Sequence, residues 1–115
     1  MAISINSSSQ QTVTAAIAIN TKVSQVLDMQ GGFLGGIILP AALTSTTLTF
    51  TVANAPNGTF TSLCDTSGSA ISYTVAASKA IAFAKDVFAP WPYVILNFGS
   101  NEAAARSVIC IIRST

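Results

Sequence analysis

The sequence predicts an all-β fold, a single-domain antiparallel β-sandwich of jelly-roll or Ig-like type built from about eight or nine short strands. Three observations carry that expectation. Residues 48–52 alternate without fault, with Leu48, Phe50 and Val52 on one face and threonines on the other; a period of two marks a strand with one buried face. Turn signals rich in Gly, Asn, Asp and Pro recur at a spacing of roughly 8 to 12 residues, the rhythm of a sandwich. Residues 90–99 put Val94, Leu96 and Phe98 on one side and Tyr93, Ile95 and Asn97 on the other. Both sides are largely apolar, as in a central strand, and Pro90 and Pro92 suit a strand entry because each fixes φ and lacks an N–H.

Taken in order, residues 1–11 read as an N-terminal arm, polar from Ser7 to Gln11, and residues 12–115 as the sandwich domain. Residues 12–19 alternate, with Val13, Ala15, Ile17 and Ile19 on the buried side. Residues 22–29 give a second strand in which Val23 is offset against Val26 and Leu27, the mark of a bulge or register change. Gly31 and Gly32 turn the chain into a strand over residues 34–39, stopped by Pro40. After residues 48–52, Asn57-Gly58 is expected to supply the positive φ of a tight hairpin turn, with residues 60–64 as the second arm. Asp65-Thr-Ser-Gly68 turns the chain again into residues 71–75. Residues 76–87 would suit a helix in composition, but Ala80-Ile-Ala-Phe83 alternates and favours a strand followed by loop. Residues 92–98 and 107–113 form the last pair. In the connection between them Glu102 and Arg106 stand at i,i+4, enough for one helical turn and a few tenths of a kcal/mol.

Composition limits the functions open to this fold. The chain has 115 residues, of which 8% are charged and 50% hydrophobic, with a net charge of +1. Charged residues usually make up about a quarter of a globular chain, so much of this surface is Ser, Thr, Ala and Asn. A surface so poor in charge favours self-association or packing on a larger assembly, and it offers no electrostatic footprint for nucleic acid or an anionic membrane. The start lacks the basic and apolar regions of a secretory signal, which points to synthesis and assembly in the cytoplasm. The longest apolar run, residues 33–43, holds two glycines and a proline and falls well short of the ~20 residues of a membrane span.

No catalytic constellation emerges. The sequence has no histidine, and its acids, Asp28, Asp65, Asp86 and Glu102, are scattered, so neither the commonest general base nor a paired-carboxylate arrangement is present. No metal or cofactor is expected, and the chain does not read as an enzyme. Asp65 fits a turn cap better than a calcium ligand. The glycines of residues 31–36 lack the Gly-Lys-Ser/Thr of a phosphate loop. Cys64 and Cys110 lie in apolar strand patterns and are expected as buried free thiols, not as a bridge or a zinc pair. Trp91 and Tyr93 admit two readings, a sugar-stacking platform or an interface. No acids or amides cluster beside them in sequence, and Ile95 continues their side of the strand, which favours an interface. Together with Ile109 and Ile111, which line the second face of the last strand, Trp91, Tyr93 and Ile95 make the candidate interface.

The segments Gly36-Ile-Ile-Leu-Pro-Ala-Ala-Leu-Thr44, Leu48-Thr-Phe-Thr-Val52, Leu63-Cys-Asp-Thr-Ser-Gly68, Val75-Ala-Ala-Ser-Lys-Ala80 and Pro90-Trp-Pro-Tyr-Val94, in this order, resemble the small structural proteins of tailed bacteriophages. The resemblance covers most of the chain from about Ser24 onward. It implies a β-sandwich acting as a capsid decoration, or cement, protein, present as homotrimers on the surface of the virion and partnered by the major capsid protein. The competing expectation is a carbohydrate-binding β-sandwich module of a virion or cell-surface protein.

Overall fold

The computed structural model describes residues 10–113. Nine strands and one helical turn follow in the order β1 (Gln10–Ile17), β2 (Leu27–Asp28), β3 (Phe33–Ile38), β4 (Thr47–Ala53), β5 (Thr61–Ser62), β6 (Tyr73–Thr74), β7 (Ala80–Ala82), α1 (Lys85–Phe88), β8 (Tyr93–Phe98) and β9 (Arg106–Arg113). They form two antiparallel sheets, one ordered β1-β9-β3-β7 and the other β2-β8-β4-β5, with β6 also on β4. β5 pairs with Thr51 and Val52, and β6 with Thr47 and Leu48. They are thus two pieces of one strand position, interrupted by the excursion between them. Counting them as one leaves two four-stranded sheets, and the chain crosses from one to the other at every connection except the β4–β5 hairpin, the order of a jelly roll and not of an Ig domain.

The alternating patterns set this arrangement. Val94, Leu96 and Phe98 of β8, Leu48, Phe50 and Val52 of β4, and Val108, Cys110 and Ile112 of β9 are all buried and meet between the sheets with Ala15, Ile17, Leu34 and Ile37. An aromatic cluster closes one part of this core. Phe50 makes edge-to-face contacts with Tyr73, Phe83 and Phe88 at centroid separations of 5.9, 5.5 and 4.9 Å, a geometry that sets positive ring edges against negative faces.

Several local expectations change. β1 begins at Gln10, two residues before the expected start; the rest of the expected arm, residues 1–9, lies outside the described residues. Residues 22–29 run beside β8 in two pieces, Val23 bridging Asn97 and β2 pairing with Val94 and Tyr93. Between them Ser24 joins the ladder through its backbone and its hydroxyl: its N–H donates to the Leu96 carbonyl, and the Leu96 N–H donates to Ser24 Oγ, both at 3.0 Å. The hairpin from β4 to β5 forms, but Gly58 does not carry positive φ. Among the described residues that conformation falls to Asn20, Gln30, Gly31, Gly68 and Ser78, because a loop of seven residues between β4 and β5 does not need the two-residue primed turn. β7 forms where the strand was expected, and one helical turn, α1, follows it. β8 and β9, expected as a pair, lie in opposite sheets, since the jelly roll carries the chain across the sandwich between them. Their connection holds no helical turn.

Candidate interaction surfaces

The outer face of the β1-β9-β3-β7 sheet follows directly from register. Across the sheet, Ala82, Gly36, Ile111 and Thr12 stand in one row, and Ala80, Ile38, Ile109 and Thr14 in the next. These eight residues carry no charge and nothing larger than isoleucine. Ile38 and Ile109 are 43% and 38% exposed, and a shallow groove of about 340 Å³ runs along Gly36, Ile38, Ala80, Ala82 and Ile111, with Arg113 also lining it. An exposed, largely apolar face of this kind is a candidate contact surface.

The edge of the same sheet is guarded without charge. The Ala16 N–H, facing away from β9, donates to Gln25 Oε1 at 2.8 Å, and Gln25 Nε2 donates to the Thr14 carbonyl at 3.2 Å. One side-chain amide thereby stands in for a neighbouring strand over the middle of β1. At the other edge β7 is three residues long, too short to template a partner strand.

The other outer face is different in character. Tyr93, Ile95 and Asn97 of β8 lie half-buried beside Thr49 and Thr51 of β4, and Asn97 Nδ2 donates to Thr51 Oγ1 at 3.3 Å. It is a hydroxyl-rich face with an apolar strip. The five candidate interface residues therefore do not converge. Ile109 and Ile111 sit on the outside of one sheet, Tyr93 and Ile95 on the outside of the other, and Trp91 on neither. Trp91 precedes β8, where its N–H donates to the Phe88 carbonyl at 3.0 Å. It walls a separate cleft of about 380 Å³ with Val52, Leu63, Asn54, Thr59 and Thr61.

Glu102 is the functional group that sequence spacing most understated. It is 1% exposed, and its carboxylate accepts from the Thr44 N–H (2.8 Å), the Ser45 N–H (3.0 Å), Ser45 Oγ (2.7 Å) and Arg106 Nε (2.9 Å). Burial, the largest single influence, pushes this carboxyl up. The bonds from the Ser45 hydroxyl, the Thr44 amide, the Arg106 guanidinium and the Ser45 amide outweigh it and hold the group down at about 2. Glu102 thus ties the loop before β4 to the loop before β9, a structural knot and not a general acid.

The two cysteines also part company. Cys110 is buried and its thiol is pushed up to about 12 by desolvation. Cys64, expected in the core, is exposed, because the strand ends at Ser62 and the chain turns outward there to pair Cys64 with Ala70. Asp65 caps the following turn as expected, accepting from the Ser67 hydroxyl and from the Ser67 and Ser69 amides. These bonds, the Ser67 hydroxyl first, lower its carboxyl below the usual range.

No family model matches the chain, and no curated protein matches it. Among solved structures, the chain is similar to the SPBc2 prophage-derived protein YomS, with a TM-score of 0.57, 14% identity and 99% of each chain covered. At that identity the likeness is one of fold, shared over the whole length of both chains.

Proposed function

We propose that this chain is a structural protein of a bacteriophage virion, a decoration protein that seats on the outer surface of the major capsid lattice and stabilises the head. It works as a homotrimer and catalyses nothing. The observation that carries this reading lies on the outer face of the β1-β9-β3-β7 sheet, where two uncharged rows set Ile38, Ile109 and Ile111 among Ala, Gly and Thr, with Arg113 the charged residue that lines the groove. Those two rows bring no charge out of water when covered, and small side chains let a partner approach closely. The segments that resemble small tailed-phage structural proteins support a phage setting, as does the fold shared with a prophage-derived protein. Specific interfaces of this type bury about 1,200 to 2,000 Å², and a trimer touching several lattice subunits gains avidity because each docked protomer raises the effective concentration of the others.

The test is to prepare particles without the protein, heat them, and add it back. Shells lacking it form at normal size but release their genome at a lower temperature, and re-addition restores them equally at low and high salt, since attachment does not rest on charge. Ile109→Glu, at an exposed position, leaves folding intact and abolishes the rescue. Shells that fail to form without the protein would make it a lattice component; rescue by the Ile109→Glu variant would place the contact elsewhere.

A further inference from the structure

We propose that the cleft beside Trp91 is a binding site for a neutral saccharide of one or two pyranose rings. Three features of its chemistry lead there. The floor is apolar: Val52, Ala53 and Leu63 are buried in the core beneath it. The rim is hydroxyl and amide, supplied by Asn54, Thr59, Thr61 and Ser62, all exposed. No charged residue lines it. A ligand matched to this cleft needs an apolar face, several hydroxyls and no charge, and a pyranose ring has all three.

The hydrogen-bonding capacity of the rim is unspent. Among the described residues, the side chains of Asn54, Thr59, Thr61 and Ser62 make no hydrogen bond within the protein, whereas those of Ser24, Ser45, Ser67, Thr44 and Asn97 all do. The Trp91 indole N–H is likewise unpaired, yet no buried side-chain donor is left without a partner, so that N–H is open to solvent. Trp91 packs against the core and also lines the cleft, and an indole divides in this way between an apolar body and a polar handle. At about 380 Å³ the cleft lies near the small end of the range of about 300 to 1,000 Å³ for ligand sites, too small for an oligosaccharide to be enclosed.

An added peptide strand fits less well. β5 offers an edge of only two residues, and the chain beyond it is already taken: the Ile71 N–H donates to the Leu63 carbonyl at 3.0 Å, and Cys64 pairs with Ala70. Strand addition needs a longer row of free backbone groups. The saccharide site is separate from the face assigned to the capsid, so each can fail without the other.

Trp91 is the one tryptophan in the sequence, so its fluorescence reports on this cleft alone. The probes are glucose, galactose, mannose, N-acetylglucosamine and their disaccharides cellobiose, maltose, lactose and chitobiose, with glucuronic acid and sialic acid as charged comparisons and a proline-rich peptide as the competing ligand class. At least one neutral sugar should shift the emission saturably with a Kd no weaker than about 10 mM. Asn54→Ala and Thr61→Ala, at exposed positions that leave the unfolding midpoint unchanged, should each weaken that binding about three- to tenfold, the value of one hydrogen bond. Trp91→Ala should remove it, with amide NMR of the variant confirming the fold. The proposal is overturned if no neutral sugar perturbs the emission or the amide signals of Ala53, Asn54 and Leu63, if both rim variants bind as tightly as the unsubstituted protein, or if the charged sugars or the peptide bind in preference.

Discussion

Replacing Glu102 by glutamine should reveal how much of the fold hangs on one buried carboxylate. The substitution keeps the shape of the side chain but removes the charge, and it puts an NH2 group where four donors converge on two carboxylate oxygens. The depression of this carboxyl from 4.5 to about 2 corresponds to about 3 kcal/mol of stability, at about 1.4 kcal/mol for each pH unit. Because the folded value lies below the unfolded one, that contribution is complete above about pH 5 and is lost as the pH falls towards 2. Equilibrium urea unfolding of both proteins across this range measures it. At pH 7 the Glu102→Gln variant should be less stable by about 3 kcal/mol, a large share of the 5 to 15 kcal/mol typical of a domain, and at pH 2 the gap should close to under about 1 kcal/mol. A gap below about 1 kcal/mol at pH 7, or one that does not narrow in acid, would refute the knot as described.

Native-state alkylation should label Cys64 alone, and Cys110 only after denaturation, as counted by mass spectrometry; equal labelling of both would contradict the buried, high-pKa thiol of β9. Gly36→Ala should destabilise the chain by about 1 to 3 kcal/mol, since a Cβ there would stand 2.8 Å from the backbone oxygen of Ile81, and chemical unfolding together with loss of amide protection along β7 would report it. Gln25→Ala should raise the exchange rate of the Ala16 amide about tenfold and promote slow association through the freed edge of β1, followed by hydrogen exchange and light scattering.

The strands most legible in the sequence were those with long alternation: β4, β8 and β9 bury every second side chain, whereas β1 buries only Ala15 and Ile17, and Ile19, expected on the same side, lies beyond the strand's end and is 55% exposed. Strands were expected at residues 60–64 and 71–75, and β5 and β6 form within them, but only two residues long each; that they are fragments of one strand position split by an excursion is invisible to any local pattern. α1 escaped because a single turn is too brief to impose a 3.6-residue period. Partnerships were harder still. Glu102 and Arg106 announced each other at four residues' distance, but the Thr44 and Ser45 donors that bury Glu102 come from more than fifty residues away, and only the jelly-roll crossing brings them together. Trp91 read as lacking amides because Asn54 is distant in sequence, yet the pairing of β4 with β8 sets the two around the same cleft. The clearest case is the candidate interface. Alternation correctly says that Tyr93, Ile95, Ile109 and Ile111 all face away from the core, but a sandwich has two outer faces, and a period of two contains no information about which sheet a strand joins. Once β8 and β9 fall in opposite sheets, one patch becomes two: an apolar face around Ile109 that no other element covers among the described residues, and a threonine-lined face around Ile95 that already satisfies part of its own hydrogen bonding. That difference is why the proposed docking surface is the first face and not the second.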